Sequence, residues 1–418
     1  MSRASQTLGK HWRWIASLAR RYLERFGKGT LARQRTVERF LRSDAGFQRA
    51  IKKHESELYV AAWPNAEPRM RPVAVAKRWN VPEILTEHDL AAWLAVRENE
   101  LEWFANLKSN GTKNEDARLQ HYNYRVLAKP TGSLRLIEAP KGRLRVMQRK
   151  ILSQILDAIP AHPAVHGFVK GRSIKTFAEP HAGKHVVLRM DLKDFFPTLG
   201  RAKIQTFFRT AGYPERVADL LGGLCTNRTP LSIWREIDLK PEPFAAFEAN
   251  QLYGRPHLPQ GAPTSPALAN LCMYRADCRL SGLAQAAGAT YTRYADDLAF
   301  SGGLPFEKGV DRFAAHVAAI LHEEGFAVHH RKTRMMRRGV RQYLAGVVVN
   351  ERPNVVRADF DQLKATLTNC MRHGPQTQNR EGRPDFRSHL AGRVSFVEMI
   401  NPQKGARLRR IFEKIQWQ

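Results

Sequence analysis

The sequence contains only four cysteines in 418 residues, and no two of them are spaced as C-x-x-C. They are Cys225, Cys272, Cys278 and Cys370, and the middle two fall in a run that we predict to be a buried helix. Disulfide-stapled domains and structural zinc sites both need more cysteines at paired spacings. Neither is therefore expected to hold this fold together.

Long apolar segments are missing as well. No run reaches the roughly 20 residues of a membrane-spanning helix, and the start of the chain lacks the apolar core of a secretion signal. We therefore expect a cytoplasmic protein without a membrane partner. An arginine-rich, acid-poor start is also typical of mitochondrial transit peptides, although residues 11–26 fit a retained amphipathic helix better.

Several well-known catalytic signatures are absent from the chain. It has no Walker loop, no serine-hydrolase nucleophile elbow and no protein-kinase set. His121, His329 and His330 are not part of an H-x-x-x-H or H-E-x-x-H spacing, so we interpret them as surface or RNA contacts rather than metal ligands. P-loop, kinase, serine-hydrolase and zinc-protease functions are therefore not expected.

Acidic side chains are scarce relative to basic ones. Lys plus Arg number 68 and Asp plus Glu number 39, which gives a formal charge of 68 − 39 = +29. Residues 1–80 carry 18 basic and 6 acidic side chains, and residues 351–418 carry 13 and 7. Such an excess repels itself unless a polyanion neutralises it, so we expect a nucleic acid partner. A merely basic, soluble surface is the alternative.

Hydrophobic periodicity and turn residues divide the chain into helices and strands that indicate an α+β fold. A Pro-rich linker is predicted around Pro64–Pro72. The other predicted elements are helices over 11–26, 86–107 (two short ones), 144–159, 268–287, 313–324 and after 349, hairpins over 122–139 and 291–301, and a buried strand over 186–191.

Three carboxylates have the surroundings that metal-dependent nucleotidyl transfer needs. Asp191 ends the buried strand and faces away from the apolar layer of Val186, Leu188 and Met190, while Asp296 and Asp297 lie at a hairpin turn. Two magnesium ions held by such oxygen ligands can activate a 3′ hydroxyl and stabilise the leaving oxygen. An isolated Asp-Asp pair is more often a solvated turn, so the interpretation depends on the flanking sequence.

The flanking sequence resembles the motifs of reverse transcriptases. RMDLKDFFP at 189–197, PQGAPTSP at 259–266 and YADD at 294–297 occur in the order in which that family has them. HGFVKGRSI at 166–174 and residues 389–412 are similar to retron reverse transcriptases, and the resemblance covers about four-fifths of the chain, from Trp79 to Trp417.

Two positions depart from the retron pattern. Phe177-Ala178-Glu179-Pro180-His181 stands where N-A-x-x-H is expected, and Leu344-Ala345-Gly346 stands where V-T-G is expected. These departures bear on the retron subclass and leave the polymerase motifs untouched.

The resemblance implies a right-hand polymerase with a basic helical N-terminal extension. Residues 1–80 would form that extension, 81–165 the fingers, 166–350 the palm with a small antiparallel sheet and the catalytic site, and 351–418 a helical RNA-binding thumb. The enzyme would bind two Mg²⁺ ions at Asp191, Asp296 and Asp297 and would take dNTPs as substrates.

Further roles follow from position in the motifs. Lys129 and Arg135 would grip the triphosphate, Phe196 would exclude a sugar 2′ hydroxyl, Gln260 and Gly261 would lie against template and nucleotide, and Lys332 would protonate the pyrophosphate leaving group. Tyr294 and Gly346 would contact the primer, and Arg407, Arg409 and Arg410 would bind RNA. The alternatives are surface charge for Lys129 and Arg135, a core side chain for Phe196 and a core strand for 344–349.

A retron enzyme would copy its own structured noncoding RNA into branched multicopy single-stranded DNA (msDNA), primed from a guanosine 2′ hydroxyl. It would serve in phage defence with an effector protein as a possible partner. A group II intron-like or stand-alone reverse transcriptase, a DNA-templated polymerase and a catalytically silent RNA-binding protein on the same fold are the alternatives. The presence of all three carboxylates argues against the silent one.

Overall fold

The computed structural model describes residues 3–27, 34–61, 68–107, 117–128, 134–235 and 243–417. The chain divides into two compact units, Met1–Pro68 and Arg69–Gln418. Lys129, the turn at 130–132 and residues 64–67 of the predicted linker lie outside the described residues. Within the described part of the chain, none of the helices combines the length and apolar character that crossing a bilayer requires.

The described part of the first unit consists of α1 (Arg3–Thr7), α2 (Arg13–Phe26), α3 (Gln34–Ser43) and α4 (Ala45–Lys53). The predicted helix over 11–26 is confirmed. Trp12 and Phe40 are buried, and the rings of Tyr22 and Phe40 meet edge to face with centroids 5.6 Å apart. Aromatic packing of this kind gives the unit its own small core.

One ion pair joins two helices of this unit. Arg21 on α2 donates two hydrogen bonds to Asp44, at 2.7 and 2.8 Å, and the Asp44 carboxylate also accepts from the Phe47 backbone N–H at the start of α4. The hydrogen bond from Arg21 lowers the pKa of Asp44 to about 2. The exposed side chains Arg13, Arg20, Arg25 and Arg39 keep the outer surface of the unit basic.

The second unit is an α+β fold, as predicted. Its helices are α5 (Glu87–Leu94), α6 (Glu98–Ala105), α7 (Gly142–Gln154), α8 (Ile174–Ala178), α9 (Phe195–Thr198), α10 (Arg201–Thr210), α11 (Glu215–Leu224), α12 (Ser232–Arg235), α13 (Pro243–Tyr253), α14 (Ser265–Cys272), α15 (Tyr274–Ala286), α16 (Leu304–Glu323), α17 (Arg357–His373), α18 (Phe386–Ile400) and α19 (Pro402–Phe412). Its strands are β1 (Tyr122–Ala128), β2 (Leu134–Pro140), β3 (Val186–Asp191), β4 (Thr290–Tyr294), β5 (Asp297–Gly302), β6 (Arg334–Arg337), β7 (Tyr343–Leu344) and β8 (Val347–Val348).

All strand pairs among the described residues are antiparallel. β1 pairs with β2, β7 pairs with β8, and a central sheet has the order β4-β5-β3-β6. Leu188 and Met190 of β3 pack into a core with helices α10, α11 and α14–α16, whereas Val187 packs into a second core with the β7–β8 hairpin and α17–α19. The central sheet is therefore buried on both faces, and the predicted alternation along β3 is confirmed.

Several elements differ from the sequence prediction. The helix expected over 268–287 is two helices separated at Met273, and the helix expected over 313–324 already begins at Leu304, with Pro305 in its first turn. Cys278 is exposed rather than buried. His121 is buried, with Nε2 2.9 Å from the Trp103 carbonyl oxygen, so its interpretation as a surface or RNA contact is wrong.

Residues 69–80 belong to the second compact unit. The Arg71 N–H donates to the Gly212 carbonyl at 2.8 Å, and Trp79 packs against the first core of that unit.

His181 is a fully buried link between the two strands of the β4–β5 hairpin. Its Nε2 donates to Thr292 Oγ1 at 2.7 Å, since that hydroxyl itself donates to the Phe177 carbonyl, and its Nδ1 accepts from Ser301 Oγ at 2.7 Å. Burial lowers the pKa of His181 to about 3, so the ring is neutral. The segment that departs from N-A-x-x-H thus retains a structural histidine.

We expect the stability of the protein to fall as the pH is lowered below about 6.5, the ordinary histidine value. Unfolded His181 takes up a proton there, whereas the folded ring, with its pKa of about 3, does not. Two pH units of this difference correspond to about 2–3 kcal/mol. Chemical denaturation gives the free energy of unfolding at each pH from 7.5 to 4.5. This free energy should fall less steeply with decreasing pH in His181→Gln than in the unaltered protein, and an equal fall would contradict the assignment.

Candidate active site

The three predicted carboxylates meet at one end of the central sheet. Asp191 is the last residue of β3 and pairs in register with Asp297, the first residue of β5. Asp296 lies in the β4–β5 turn, and its carbonyl accepts a hydrogen bond from the Leu192 N–H at 3.0 Å. Ala295 enters this turn with a left-handed backbone, φ 54°. The short turn therefore places all three aspartates beside one another.

A glycine packs directly against the turn. A Cβ at Gly167 would lie 2.6 Å from the Ala295 backbone nitrogen. Asn270 on α14 fixes this segment, because its side-chain amide donates to the Gly167 carbonyl at 2.8 Å. Only glycine permits such a close approach of the two backbones. The HGFVKGRSI motif thus packs against the β4–β5 turn that carries Asp296.

A buried ion pair also holds the turn, and sequence reasoning missed it. Arg293 on β4 is fully buried and donates to both carboxylate oxygens of Asp277 on α15, at 2.8 and 2.7 Å. Its remaining nitrogen, Nη1, donates to the Ala295 carbonyl at 3.0 Å and to Asn270 Oδ1 at 2.9 Å. The available signal was a charged residue inside a strand that otherwise consists of threonine and tyrosine.

Two cations partly neutralise the carboxylates. Lys332 Nζ donates to both oxygens of Asp191, at 2.9 and 3.1 Å, and Arg189 donates twice to Asp297 Oδ1, at 2.7 and 2.8 Å. Burial raises the pKa of Asp296, and the neighbouring Asp191 raises it further. Burial also raises the pKa of Asp297, against the opposing effect of Arg189. The crowded negative charges thus favour bound cations.

The donor set suits a hard cation, since it consists of clustered carboxylate oxygens. Among the residues that the structure describes, however, no group of three or more His, Cys, Asp or Glu side chains is arranged to hold a metal ion. Two of the three aspartates are turned onto Lys332 and Arg189. Metal binding at these residues would require at least Asp191 to exchange its ammonium partner for the ion.

A cavity of about 720 Å³ opens above the carboxylates. Its lining includes six of the predicted site residues, namely Asp191, Asp296, Arg135, Phe196, Gln260 and Lys332. Gly261 lines an adjoining cavity of about 470 Å³ together with Arg145 and Arg149. Gly261 has φ 135°, and a Cβ there would lie 2.9 Å from the Glu138 carbonyl oxygen. The predicted nucleotide loop therefore packs tightly against β2.

The sequence profile described as "Reverse transcriptase (RNA-dependent DNA polymerase)" matches residues 127–356, more than half of the chain. The chain belongs to the reverse transcriptase family. It is an RNA-directed DNA polymerase, and reverse transcriptases generally use divalent metal ions.

Relatives place this reverse transcriptase among the retron enzymes. It is 38% identical to the Retron Mx65 reverse transcriptase of Myxococcus xanthus over 80% of this chain and 72% of the relative. It is 37% identical to the Retron Mx162 reverse transcriptase of the same organism, over 77% and 66%, and 28% identical to the Retron Ec86 reverse transcriptase of Escherichia coli, over 69% and 78%. The retron resemblance is confirmed despite the two departing motifs.

The remaining predicted residues of this reverse transcriptase lie outside the described lining of the main cavity. Tyr294 is half-buried, with its ring 5.8 Å from that of Phe177. Gly346, at the β7–β8 turn, borders a separate groove of about 440 Å³ that Phe360 and Arg393 also line. On α19, Arg407 and Arg410 are exposed, whereas Arg409 donates to Glu398 at 2.9 Å.

Proposed function

We propose that this reverse transcriptase adds deoxynucleotides by two-metal nucleotidyl transfer at Asp191, Asp296 and Asp297. The observation that carries the proposal is the pairing of Asp191 with Asp297 across β3 and β5, with Asp296 in the adjacent turn. Two bound magnesium ions would activate the primer hydroxyl and stabilise the leaving oxygen. Arg135 borders the same cavity, where its planar guanidinium suits a triphosphate.

Lys332 has a place in this mechanism. Its ammonium neutralises Asp191 before the metal binds, at a distance of 2.9 Å. Because Lys332 lines the cavity, its ammonium would be available, once released from Asp191, to donate a proton to the pyrophosphate leaving group.

Phe196 is proposed to exclude ribonucleotides. It is half-buried, lines the cavity and lies five residues after Asp191. An apolar wall of this kind rejects an added hydroxyl by about 10²-fold. Phe196→Ala should therefore raise the incorporation of rNTPs relative to dNTPs by about that factor, measured by single-nucleotide extension.

The half-buried Phe207 on α10 is the matched control for Phe196. Phe207→Ala removes a comparable ring that is absent from the described cavity lining, and it should leave the sugar preference unchanged. Equal preferences in the two variants would refute the gate.

We infer that the template is a cognate structured noncoding RNA and that the product is branched msDNA. The retron relatives and the charge of +29 support this inference. The test is to express the gene with its flanking DNA and to analyse the nucleic acid bound to the purified protein. We expect branched DNA that remains after ribonuclease treatment. Linear products on any primed RNA would favour a stand-alone enzyme, and no synthesis at all would favour a silent RNA-binding protein.

We also propose a role in phage defence, with an effector protein as partner. Cells that carry the complete locus should plate phage less efficiently than cells with Asp296→Ala, Asp297→Ala. Equal plating against a broad phage panel would refute this role.

The thumb residues Arg407 and Arg410 are proposed to contact RNA phosphates. Both are exposed on α19, whereas Arg409 is occupied by Glu398 and Ser395. Each lost phosphate contact lowers the salt slope of binding by about 1. Arg407→Gln with Arg410→Gln should therefore weaken RNA binding and lower this slope by about 2, measured by filter binding in a KCl series. Arg409→Gln should change the slope less, and an unchanged slope in the double variant would contradict the proposal.

A further inference from the structure

Residues 228–235 and 243–256, which the structure describes, form an excursion of the chain between the RMDLKDFFP and PQGAPTSP motifs. Its two ends are joined by hydrogen bonds between the backbones of Asn227 and His257, at 2.9 and 2.8 Å in the two directions. The Thr229 N–H also donates to the Tyr253 carbonyl at 3.1 Å. The excursion, which contains α12 and α13, is therefore closed at its base like a short antiparallel ladder.

Helix α13 of the excursion packs against β2 and also lines the main cavity. Ala249 and Tyr253 are buried in a small apolar cluster with Leu134 and Leu136 of β2. Phe247, Glu248, Gln251 and Leu252 line the main cavity together with Ala249 and Tyr253, and Arg255, two residues after the helix, belongs to the same lining. The side chain of Phe247 remains 59% exposed although it is large and apolar. The excursion thus builds one wall of the catalytic cleft.

Glu138 on β2 anchors the base of the excursion. Its side chain is fully buried, and Oε1 accepts hydrogen bonds from Asn227 Nδ2 at 2.8 Å and Thr229 Oγ1 at 3.0 Å. Its Oε2 lies 2.8 Å from His257 Nε2. The Glu138 backbone N–H donates to the Gln260 carbonyl at 2.9 Å. One residue therefore holds both the excursion and the nucleotide loop to the fingers hairpin.

Both ring nitrogens of His257 have hydrogen-bond partners in this anchor. Its Nδ1 lies 2.8 Å from the Arg255 carbonyl oxygen, which can only accept, so Nδ1 donates. Nε2 and Glu138 Oε2 consequently share one proton. Loss of the carboxylate would leave the buried donors of Asn227, Thr229 and His257 without their acceptor. The arrangement is therefore sensitive to a change at a single position.

We propose that the described residues of this excursion, 228–235 and 243–256, form a nucleotide-binding wall, in which Arg255 contacts the polyphosphate of the incoming dNTP and Glu138 is the positioning residue. Arg255 is exposed and lines the same cavity as Arg135, Lys193 and Lys332, so four cationic side chains border the space that Asp191 and Asp296 also line. A triphosphate is the substrate group that matches such a set. Phe247 offers an apolar surface beside it. The inference rests on the proposed chemistry at Asp191, Asp296 and Asp297.

The first test is single-dNTP incorporation on a primed RNA with magnesium. Arg255→Gln removes one charge-assisted contact and should raise the KM for dNTP by about 10-fold or more, with a much smaller change in kcat. Arg312→Gln is the matched control, because Arg312 is an exposed arginine on α16 that is absent from the described cavity lining. An unchanged KM in Arg255→Gln would overturn the contact.

The second test concerns Glu138. Glu138→Ala should raise the KM for dNTP, whereas Glu138→Gln should restore it, since the amide oxygen can accept from Asn227 and Thr229 and the amide nitrogen can donate to neutral His257. Thr229→Val removes a single hydrogen bond to Oε1, and it supplies the same readout if Glu138→Ala fails to fold. Tyr213→Phe is the control, because it removes a partly buried hydrogen bond to the Pro82 carbonyl outside the described cavity lining.

The outcomes are distinguishable. A raised KM in Arg255→Gln and Thr229→Val, with Tyr213→Phe unchanged, supports the wall and its anchor. A fall in kcat alone, or the same change in Tyr213→Phe, overturns the positioning role. If the unaltered enzyme incorporates no dNTP on any primed RNA, the proposed chemistry fails and the wall fails with it.

Discussion

The double variant Asp296→Ala, Asp297→Ala is expected to lose DNA synthesis by at least about 10³-fold, or about 4 kcal/mol of transition-state stabilisation. Both carboxylates lie beside Asp191, and no alanine can replace their oxygens as metal donors. RNA affinity should change little, because the exposed arginines of α19 are retained. Primer extension and filter binding on the same preparations measure the two quantities.

For stability we expect the opposite effect, a gain rather than a loss, from removing Asp296. Burial raises the pKa of Asp296, which means that the folded protein disfavours its charged form. Asp296→Ala alone should therefore stabilise the metal-free protein at neutral pH while it inactivates the enzyme. Asp311→Ala, on the exposed face of α16, is the control for both measurements. Retained synthesis in the double variant would exclude these residues from catalysis.

Asp277→Ala is expected to destabilise the protein by about 3–5 kcal/mol, because it leaves the buried Arg293 guanidinium without its counterion. Both side chains are fully inaccessible to solvent. Activity should fall as well, since Arg293 also donates to the Ala295 carbonyl in the catalytic turn. Chemical denaturation and primer extension at a temperature where the variant remains folded would separate the two effects.

A compensating pair of substitutions sharpens this test. Asp277→Leu with Arg293→Met replaces the ion pair by apolar side chains of similar size, and we expect much of the stability to return. Activity should stay low, because methionine cannot donate to the Ala295 carbonyl. Asp219→Ala, which breaks the partly exposed pair with Arg209, should cost about 1 kcal/mol or less. Similar losses at both ion pairs would contradict the argument from burial.

Much of the site could be predicted because its residues lie within short motifs. Asp191, Gln260 and Asp296 each sit in a recognisable run, and the structure brings them to one cavity. The alternation along β3 also predicted that Leu188 and Met190 pack on one face of the sheet and Val187 on the other. The spacing of residues within short segments was therefore enough to predict the carboxylates and the strands next to them.

The supporting residues could not be predicted, because their partners are far away in sequence. Glu138 and His257 are 119 residues apart, and nothing in either neighbourhood indicates the other. The break between α14 and α15 occurs at Met273, where the sequence has neither proline nor glycine. No helix-breaking residue therefore indicated it. Arg409 has the spacing of a surface residue, yet its pairing with Glu398 depends on how α18 packs against α19.

The contact between Gly167 and the Ala295 backbone has a consequence for combining parts of related polymerases. Any side chain at position 167 must displace the turn that carries Asp296 and Asp297, since a Cβ would lie only 2.6 Å from the Ala295 nitrogen. Asn270 and Arg293 are fitted to the same backbone. A chimaera that takes its YADD hairpin from one parent and its HGF segment or α14 from another would mismatch these surfaces. Crossover points that keep residues 164–168, 265–272 and 290–302 in a single parent preserve the fit.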